Sequence, residues 1–338
     1  MPDKKQKVLF LDNIGWDTSS ERVSIEAAGG EFEVLKCRKP DEALAHVAGP
    51  RVILSMHVPL RRAALELATH CVGIVRYGVG YDNIDVEVAT ELGILVVNIP
   101  DYASDEVALH SLALLFASAR QVPSFNAALR SQAAVSMRPF IEAIAPVHGE
   151  TLAVIGLGRI GRAMAEKSAG VGLRVLAVDP FFKGAPPAGV TLCSAEEALR
   201  QADYVSLHMP LSADTENWLN AERIGWLKPT ARIINTSRGS VIDEEALCDA
   251  LAGQRIAGAA LDVARNEGAL RDSPLLKFDN VIITPHIASQ SKQALARLRE
   301  MVGEAAALML NGQAPRSVVN TAVLQTRQCR LGRLGKLQ

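Results

Sequence analysis

The glycine-rich segment Gly156-Leu157-Gly158-Arg159-Ile160-Gly161 constrains the fold of this chain more than any other feature. It follows an apolar, strand-like run from Thr151 to Ile155 and opens a helix-like stretch from Arg162 to Ala169. A second strand-like run begins at Arg174 and ends in Asp179, about 20 residues after the motif. A dinucleotide site requires this order of strand, Gly-x-Gly-x-x-Gly, helix, strand and acid. The sequence therefore predicts a βαβ unit that binds a dinucleotide.

Each residue of this pattern has a separate physical role. Gly156 permits the tight turn, Gly158 lets the backbone approach a pyrophosphate, and Gly161 lets the helix pack against the strand. The helix N-terminus then faces the phosphates. Asp179 is expected to bind the adenosine ribose hydroxyls and to repel a 2′-phosphate, which favours NAD over NADP. Two observations leave alternatives open, because an isolated acid here is often a turn residue and because Lys183 lies close by in sequence.

Length and composition indicate an ordinary globular protein. A chain of 338 residues predicts about two domains, and a net charge of −1 with scattered Lys and Arg argues against a nucleic-acid or membrane surface. The five cysteines are far apart, so we expect buried thiols in a reducing cytoplasm and no metal site. The charged start, Met1–Lys5, is unlike a signal peptide, and the longest apolar stretch, Leu112–Ala119, is too short to cross a bilayer.

Short apolar runs alternate with helix-like segments along the chain, which predicts an α/β fold with parallel sheets. The strand-like runs are Val8–Leu11, Val52–Leu54, Ile74–Val75, Ile94–Val97, Leu152–Ile155, Val175–Val178, Tyr204–Leu207, Ile233–Ile234, Ala259–Val263 and Val281–Thr284. The helix-like segments are Ala63–Ala68, Val86–Glu91, Glu106–Ala119, Ala195–Gln201, Glu244–Leu251 and Ala294–Leu310. One such rhythm precedes about residue 100 and a second follows about residue 150, so we expect two sheets.

Four segments indicate how the two sheets are connected. Glu106–Ala119 is apolar nearly all round, which predicts a helix buried on every side, as between domains. Gln121–His148 contains three prolines and is expected to be an irregular connection. The last helix, Ala294–Leu310, follows the final core strand and can return to the first domain. The tail from Gln325 is basic and aperiodic, so we expect it to be poorly ordered.

Three strand ends in the second half carry an Arg, a Glu and a His. Arg238 follows one strand, Glu267 lies five positions after Asp262, and His286 follows Thr284-Pro285. Open α/β sheets bind ligands at the carboxyl ends of their strands, so these side chains are expected at the same edge as the dinucleotide. A guanidinium holds a carboxylate and polarises a carbonyl, a His supplies a proton, and a Glu fixes the tautomer of that His. The set predicts hydride transfer to a 2-keto acid.

Taken singly, each of these residues has a structural interpretation. A lone His at a strand end is usually structural, a lone Arg is usually a surface ion-pair partner, and a lone loop Glu is usually solvated. Their joint occurrence in this order after the glycine motif favours the catalytic interpretation.

The chain resembles the D-isomer-specific 2-hydroxyacid dehydrogenase family through several motifs in the family's order. They are Arg76-Tyr77-Gly78-Val79-Gly80-Tyr81-Asp82-Asn83-Ile84-Asp85, Asn98-Ile99-Pro100, Glu106-Val107-Ala108-Leu109-His110, the glycine motif, Asn235-Thr236-Ser237-Arg238-Gly239, Val241-Ile242-Asp243-Glu244, Ala259-Ala260-Leu261-Asp262-Val263 and Thr284-Pro285-His286. The resemblance implies two Rossmann-like domains, in which the substrate domain is discontinuous. The substrate domain would comprise residues 1–101 and 290–338, and the NAD-binding domain residues 102–289. It also implies a homodimer.

The resemblance carries roles to individual residues. Arg238, Glu267 and His286 match the catalytic residues, and Val79 and Gly80 match the loop whose amides hold the substrate carboxylate. The expected cofactor contacts are Gly156, Gly158, Arg159, Ile160, Gly161, Asp179, Thr236, Asp262, His286 and Ser289, with Asp262 on the nicotinamide carboxamide. The expected substrate pocket includes His57, Tyr77, Tyr102 and Ser289, although His57 has an equally good structural interpretation.

Some positions depart from the family pattern. Ala264 stands where an aromatic residue or His is usual, Gly268 stands where Pro follows the catalytic Glu, and Ser289 replaces a Trp found in some members. We therefore expect a looser loop around Glu267 and a more open pocket at Ser289.

The chain is similar to the branch of the family that contains the C-terminal-binding proteins. The similarity lies in Asp101-Tyr102 and in His148-Gly149-Glu150-Thr151-Leu152. Two alternatives to the dehydrogenase therefore stay open, an NAD(H)-sensing binding protein with little turnover and an enzyme that oxidises phosphite on the same scaffold. Arg61 and Arg62 are candidates for a substrate phosphate, although residues at a helix start more often face solvent.

Overall fold

The computed structural model describes residues 6–131, 138–142 and 144–333, which form two units. Unit 1 combines the chain up to Tyr102 with the chain from Ser291 onward, and unit 2 is Ala103–Gln290. Each unit contains one sheet whose strands all pair in parallel. The predicted α/β class and the discontinuous first domain are therefore confirmed.

Unit 1 has a five-stranded sheet in the order β2-β1-β3-β4-β5. Its strands are β1 (Lys7–Phe10), β2 (Glu31–Val34), β3 (Val52–Ser55), β4 (Gly73–Arg76) and β5 (Leu95–Val97). Its helices are α1 (Ser19–Ala27), α2 (Pro40–Leu44), α3 (Arg62–Leu67), α4 (Val86–Glu91) and α12 (Lys292–Leu310). Short 3₁₀ turns follow at Thr321–Gln325 and Leu331–Arg333.

Unit 2 has a seven-stranded sheet in the order β12-β11-β10-β9-β6-β7-β8. Its strands are β6 (Thr151–Ile155), β7 (Arg174–Val178), β8 (Val190–Leu192), β9 (Tyr204–Leu207), β10 (Arg232–Asn235), β11 (Gly258–Leu261) and β12 (Val281–Ile283). Its helices are α5 (Ser104–Ala119), α6 (Val122–Arg130), α7 (Arg138–Glu142), α8 (Arg159–Gly170), α9 (Ala195–Gln201), α10 (Ala221–Gly225) and α11 (Glu244–Ala252), with 3₁₀ turns at Gly239–Val241, Glu267–Asp272 and Pro274–Lys277.

Strand β6 shows why this sheet needs helices on both faces. All five of its residues are buried. Successive side chains of a strand point to opposite faces, so Ala153 and Ile155 join one apolar cluster while Leu152 and Val154 join the other. A continuous apolar run of this kind is typical of a parallel strand covered on both sides.

Helix α12 returns to unit 1 and packs closely on α1. A Cβ atom added at Gly303 would lie 2.9 Å from the Cα of Glu21, so only glycine permits this approach of the two helices. The contact explains how the last part of the chain becomes part of the first domain.

Two expectations about connecting segments were wrong. Helix α5 is not buried on every side, because Leu109 is 55% exposed and Ala113 is also exposed. The expected irregular connection from Gln121 to His148 contains α6 and α7 within its described part. Pro123 lies in the first turn of α6, where a missing N–H costs no hydrogen bond, so a proline there starts the helix rather than breaking it.

The described part of the C-terminal tail is ordered against unit 1. Leu331 is buried, and the backbone N–H of Arg330 donates to the carbonyl of Gly93. The Arg330 guanidinium donates to the carbonyls of Ala68 and Cys71 near the end of α3. The tail is therefore held by backbone acceptors that the rest of unit 1 leaves available, and the expectation of poor order was wrong for it. The first five and last five residues lie outside the described residues.

All five cysteines are free thiols, of which Cys37 and Cys71 are buried and the other three are half-buried. Burial raises the pKa of the Cys71 thiol to about 12. Within the described residues, no helix has both the length and the apolar character needed to cross a membrane.

A carboxyl group on α1 of unit 1 is buried. Glu21 on α1 is 1% exposed, and its Oε1 accepts a hydrogen bond of 2.6 Å from the Tyr77 hydroxyl. The Tyr77 ring stacks on Phe10 at 4.5 Å. Removal from water raises the pKa of Glu21 above its usual value, although the Tyr77 hydrogen bond opposes that shift.

We expect Glu21→Gln to stabilise the protein at neutral pH. The folded protein holds the Glu21 proton more tightly than the unfolded chain does, so this carboxyl lowers the unfolding free energy as the pH rises above about 4.3. Glutamine keeps the acceptor for Tyr77 without a charge, and the melting temperature at pH 7 should rise by about 2 °C or more. The gain should vanish near pH 4 in thermal melts. Glu26→Gln, on the exposed face of the same helix, is the control, and an equal gain from it would contradict the assignment.

Candidate active site

The topology of unit 2 places the glycine motif at the point where the strand order reverses. Strand β6 lies between β7 and β9, so the chain winds outward from β6 in both directions. Ligands of open α/β sheets bind outside the carboxyl ends at such a point. The loops that follow β6, β7, β10, β11 and β12 all leave the sheet at this edge.

The glycine turn has the shape that a dinucleotide requires. Gly156 adopts φ +92°, and a Cβ there would lie 2.9 Å from the backbone of His208. A Cβ at Gly161 would collide with the carbonyl of Gly156. By contrast, a Cβ at Gly158 would meet no atom of the described residues within 4 Å. The turn is therefore closed on the protein side and open above Gly158, where the backbone is exposed.

Helix α8 begins immediately beyond this opening. Gly158 is its N-cap and offers no side-chain cap, so the first N–H groups of the helix face outward. Arg159 is exposed and Ile160 is half-buried in the first turn. A helix N-terminus of this kind binds phosphate, so the residues present fit the pyrophosphate of a dinucleotide.

Asp179 follows β7 and contacts the glycine turn directly. Its Oδ2 accepts from the N–H of Leu157 at 2.8 Å, and its Oδ1 accepts from the N–H of Phe181 at 2.9 Å. The carboxylate thus fixes the turn and remains half-buried at the edge where a ribose is expected.

His208, which follows β9, lies beside the turn. Its Nε2 is 2.8 Å from the Ser206 hydroxyl, and burial lowers the pKa of the ring to about 4. The ring is neutral at physiological pH. Its function here is therefore to support the turn rather than to supply a proton.

The expected catalytic histidine and glutamate lie together. Glu267 Oε2 is 2.8 Å from His286 Nδ1, and both side chains are about two-fifths exposed, at 44% and 37%. Among the described residues, Glu267 is the one partner of the imidazole, which leaves Nε2 open. A carboxylate on Nδ1 fixes the orientation of the imidazole and the tautomer of its neutral form.

The backbone at His286 is in the left-handed region, with φ +53°. Its N–H donates to the carbonyl of Asp262 at 2.8 Å and to that of Thr284 at 3.0 Å. A residue other than glycine keeps this conformation only where its surroundings enforce it, and such residues concentrate at functional sites.

Arg238 and Thr236 lie in a turn that is organised by Asn235, the last residue of β10. The buried Asn235 amide accepts from the N–H and the hydroxyl of Ser237 and donates to the carbonyl of Arg238. Arg238 Nη1 donates to the carbonyl of Ser237 at 2.8 Å. Both Thr236 and Arg238 are half-buried, and Ser289 after β12 is half-buried as well.

The carboxylate of Asp262 is enclosed, with a side-chain exposure of 0%. It accepts hydrogen bonds from Thr284 Oγ1, from the N–H of Ile287 and from the N–H of Ala288. In the structure it therefore orders the loop that carries His286. Its expected contact with a nicotinamide carboxamide stays a prediction.

In unit 1, the loop after β4 presents backbone N–H groups. The carbonyl of Gly78 accepts from the N–H of Ile99, and the carbonyl of Val79 accepts from the Asn98 amide at 2.7 Å. The N–H groups of Val79 and Gly80 donate to none of the described acceptors. Fixed carbonyls with unused amides form a concavity suited to an anion.

Two side chains expected in the substrate pocket are buried inside unit 1. Tyr77 is 3% exposed and donates to Glu21, and Tyr102 is 6% exposed beside Gly78. Both rings are therefore part of the packing of unit 1 around this loop. The substrate contact that was expected of them stays a prediction.

His57 is exposed on the loop after β3. The buried carboxylate of Asp12 accepts from the N–H groups of Met56, His57 and Val58 at 2.5–2.8 Å and holds that loop. Sequence reasoning gave no role to Asp12, Asn235, Ser111 or His110. A polar residue within or next to an apolar run is the signal that marks each of them.

A profile of the family described as D-isomer specific 2-hydroxyacid dehydrogenase, NAD binding domain, matches residues 112–288. A glyoxylate reductase of Korarchaeum cryptofilum is 38% identical over 272 residues, which cover 80% of this chain and 82% of that protein. A D-3-phosphoglycerate dehydrogenase of Synechocystis sp. is 42% identical over 314 residues, which cover 92% of this chain but 54% of that protein. The chain thus spans about half the length of the latter relative.

A solved structure is also similar over the whole fold. An acyclic imino acid reductase in complex with NADPH and D-Arg aligns with a TM-score of 0.85 and 28% identity, covering 93% of this chain and 100% of that chain.

Gly158→Ala should separate cofactor binding from folding. The new methyl group meets no atom within 4 Å in the described part of the chain, and the backbone at Gly158 has a negative φ, so thermal stability should be unchanged. The methyl group would occupy the space above the turn, and the Kd for NADH should rise about tenfold or more in a fluorescence titration. Gly170→Ala, at the other end of α8, is the control. Unchanged NADH binding by Gly158→Ala would show that the dinucleotide lies elsewhere.

Proposed function

The chain belongs to the D-isomer-specific 2-hydroxyacid dehydrogenase family, and we propose that it interconverts a small 2-keto acid and its D-2-hydroxy acid with His286 as acid–base catalyst. Members of the family are oxidoreductases that act on CH–OH groups and use a nicotinamide dinucleotide. The observation that carries the proposal is the 2.8 Å contact of Glu267 with His286 Nδ1 at the same sheet edge as the glycine turn.

The residues of unit 2 divide the chemistry between them. A nicotinamide dinucleotide held by the glycine turn and Asp179 would supply the hydride for the substrate carbonyl carbon. His286 donates a proton from Nε2 to the carbonyl oxygen, while Glu267 stabilises the charged ring. Arg238 pairs with the substrate and polarises its carbonyl. Reduction requires protonated His286 and oxidation requires the neutral ring, so the two directions should respond oppositely to pH.

We further propose that the amides of Val79 and Gly80 bind the substrate carboxylate. This proposal is supported by the unused N–H groups of the two residues and by the fixed carbonyls of the same loop. Two such donors suit one carboxylate.

NAD is the proposed cofactor in preference to NADP. A carboxylate at Asp179 repels a 2′-phosphate, and its position against the Leu157 N–H keeps it at this edge. The imino acid reductase of similar fold was solved with NADPH, so Asp179→Ala should be tested with both cofactors.

The substrate should be identified by testing a panel of acids, because the relatives do not agree on one. The related glyoxylate reductase and D-3-phosphoglycerate dehydrogenase are named for different acids. NADH oxidation should be measured with glyoxylate, hydroxypyruvate, pyruvate, phenylpyruvate, 2-ketoisocaproate and 3-phosphohydroxypyruvate. NAD reduction should be measured with phosphite. Tight NADH binding without turnover on any of them would favour the NAD(H)-sensing alternative.

His286→Asn should lose about 10²- to 10⁴-fold in kcat for keto-acid reduction, because asparagine cannot donate a proton to the alkoxide. NADH affinity, measured by fluorescence titration, should be unchanged. Near-normal turnover would exclude His286 as the acid.

Glu267→Gln is the matched variant for this experiment. It keeps a hydrogen-bond acceptor near His286 but removes the charge, so the pH dependence of reduction should change. A pH profile identical to that of the wild-type enzyme would mean that another residue orients His286.

We also propose a homodimer that uses the outer surface of α5–α7. Leu109, Val122, Leu129 and Ile141 on these three helices are all more than half exposed. Large exposed apolar side chains that adjoin one another mark a protein interface. Sedimentation equilibrium should give twice the chain mass of 36.2 kDa, and Leu129→Glu should give monomers. Val23→Glu, at an exposed apolar position of unit 1, should leave the dimer intact. A wild-type monomer would contradict the proposal.

A further inference from the structure

The loop that carries His286 depends on the buried carboxylate of Asp262. The backbone carbonyl of Asp262 accepts from the N–H of His286, and its carboxylate accepts from the N–H groups of Ile287 and Ala288 at 3.0 and 2.8 Å. These three bonds span the left-handed turn at His286. Asp262 therefore holds the turn in the conformation that aims the imidazole.

A threonine hydroxyl completes the set of donors around Asp262. Thr284 Oγ1 lies 2.5 Å from Asp262 Oδ1, which is a short, charge-assisted hydrogen bond. A carboxylate has no proton to give, so the proton in this bond is that of the threonine. The oxygen of Thr284 is then free to accept one further hydrogen bond.

His110 on α5 supplies that bond. Its Nε2 lies 3.0 Å from Thr284 Oγ1 and 3.5 Å from Asp262 Oδ1. Because Thr284 has already committed its proton to Asp262, His110 must donate from a protonated Nε2. The direction of the chain of hydrogen bonds is therefore defined, from His110 through Thr284 to Asp262.

The next residue of α5 makes an equivalent contact with the neighbouring strand end. The Ser111 hydroxyl donates to the carbonyl of Val107 at 2.8 Å, and it lies 2.7 Å from Thr236 Oγ1. Since the serine proton is used within the helix, Thr236 donates to Ser111. Two consecutive residues of α5 thus hold the threonines that follow β10 and β12.

We propose that His110 is a positioning residue for the catalytic loop, acting on His286 through Thr284 and Asp262. This inference rests on the proposed function for its effect on turnover. Helix α5 is rigid and packs against β10, β11 and β12, so it provides a fixed origin for the network. Without the His110 donor, the Thr284 oxygen loses its partner and Asp262 loses an adjacent N–H group. The hydrogen bonds of Asp262 that hold the left-handed turn at His286 are then weakened.

Two pairs of variants test the network. His110→Phe and Thr284→Val remove a hydrogen bond at nearly constant volume, whereas His110→Gln and Thr284→Ser keep one. We expect the first pair to lower kcat by about ten- to a hundredfold, because a displaced catalytic group loses rate more than affinity. The KM for the keto acid and the Kd for NADH should change little. The second pair should retain most of kcat, because each variant keeps the hydrogen bond. If the two side chains only filled space, the hydrogen bond would not matter and this difference between the pairs would not be expected.

Hydrogen–deuterium exchange in the cofactor-free protein gives a readout that does not depend on turnover. The peptide that contains the amides of residues 286–288 should exchange faster in His110→Phe and Thr284→Val than in the wild type. The double variant should exchange no faster than the faster single variant, because both act through one network. His46→Phe, at an exposed histidine of unit 1, is the control and should change nothing.

The outcomes separate this inference from the proposed function. Unchanged exchange at residues 286–288 in His110→Phe, or additive effects in the double variant, would overturn the network. Faster exchange with unchanged kcat would overturn the role of His110 in positioning His286.

A wild-type protein that is inactive on every keto acid would refute the proposed function alone. Faster exchange in His110→Phe but not in His110→Gln would still support the network. If His110→Phe does not fold, Thr284→Val against Thr284→Ser carries the same comparison.

Discussion

The parallel direction of every strand in unit 2 is the constraint on which the site depends. Because the strands run the same way, the residues that follow β6, β7, β10, β11 and β12 leave the sheet at one edge. Residues far apart in sequence, such as Gly158 and His286, are thereby brought to a common surface without any direct attraction between them. The helices that cross between strands cover both faces, so the edge is the place where polar side chains meet both backbone donors and solvent.

Loops at such an edge have no ladder of hydrogen bonds to hold them, and buried polar side chains take over that role. Asp262 fixes the turn at His286, Asn235 fixes the turn at Arg238, and Asp179 fixes the glycine turn. Unit 1 uses the same means, since Asp12 holds the loop after β3 and Asn98 holds the loop after β4. A buried carboxylate or amide that accepts or donates several hydrogen bonds rigidifies a loop at a cost that its partners offset. The candidate catalytic groups can then stay partly exposed while their backbone is fixed.

The pattern of apolar residues predicts an element only when that element carries a clear apolar face of its own. It missed elements that are stabilised by packing against distant parts of the chain. Helix α1 and strand β2 were not expected, because Ser19–Ala27 and Glu31–Val34 are rich in charged residues. Their apolar positions are few, and their partners lie elsewhere in the chain, since α1 packs on α12 and β2 pairs with β1. The tail has no pattern of its own, yet Arg330 is held by carbonyls at the end of α3 and beside β5. In each case the stabilising contact comes from a distant part of the chain.

The sequence by itself determined the class of fold and the dinucleotide site, because the glycine motif and the alternation of strands and helices obey local rules of spacing. The family followed from the resemblance of several motifs in their order along the chain. It also indicated the pairing of Glu267 with His286, since strand ends in a parallel sheet share an edge. Only the tertiary structure decided which polar side chains are enclosed. It turned Tyr77 into the core of unit 1, closed the carboxylate of Asp262 against its own loop, and placed His110 behind Thr284. The physical reason is that the direction of a hydrogen bond depends on which donors surround an atom in space, and spacing along the chain does not contain that information.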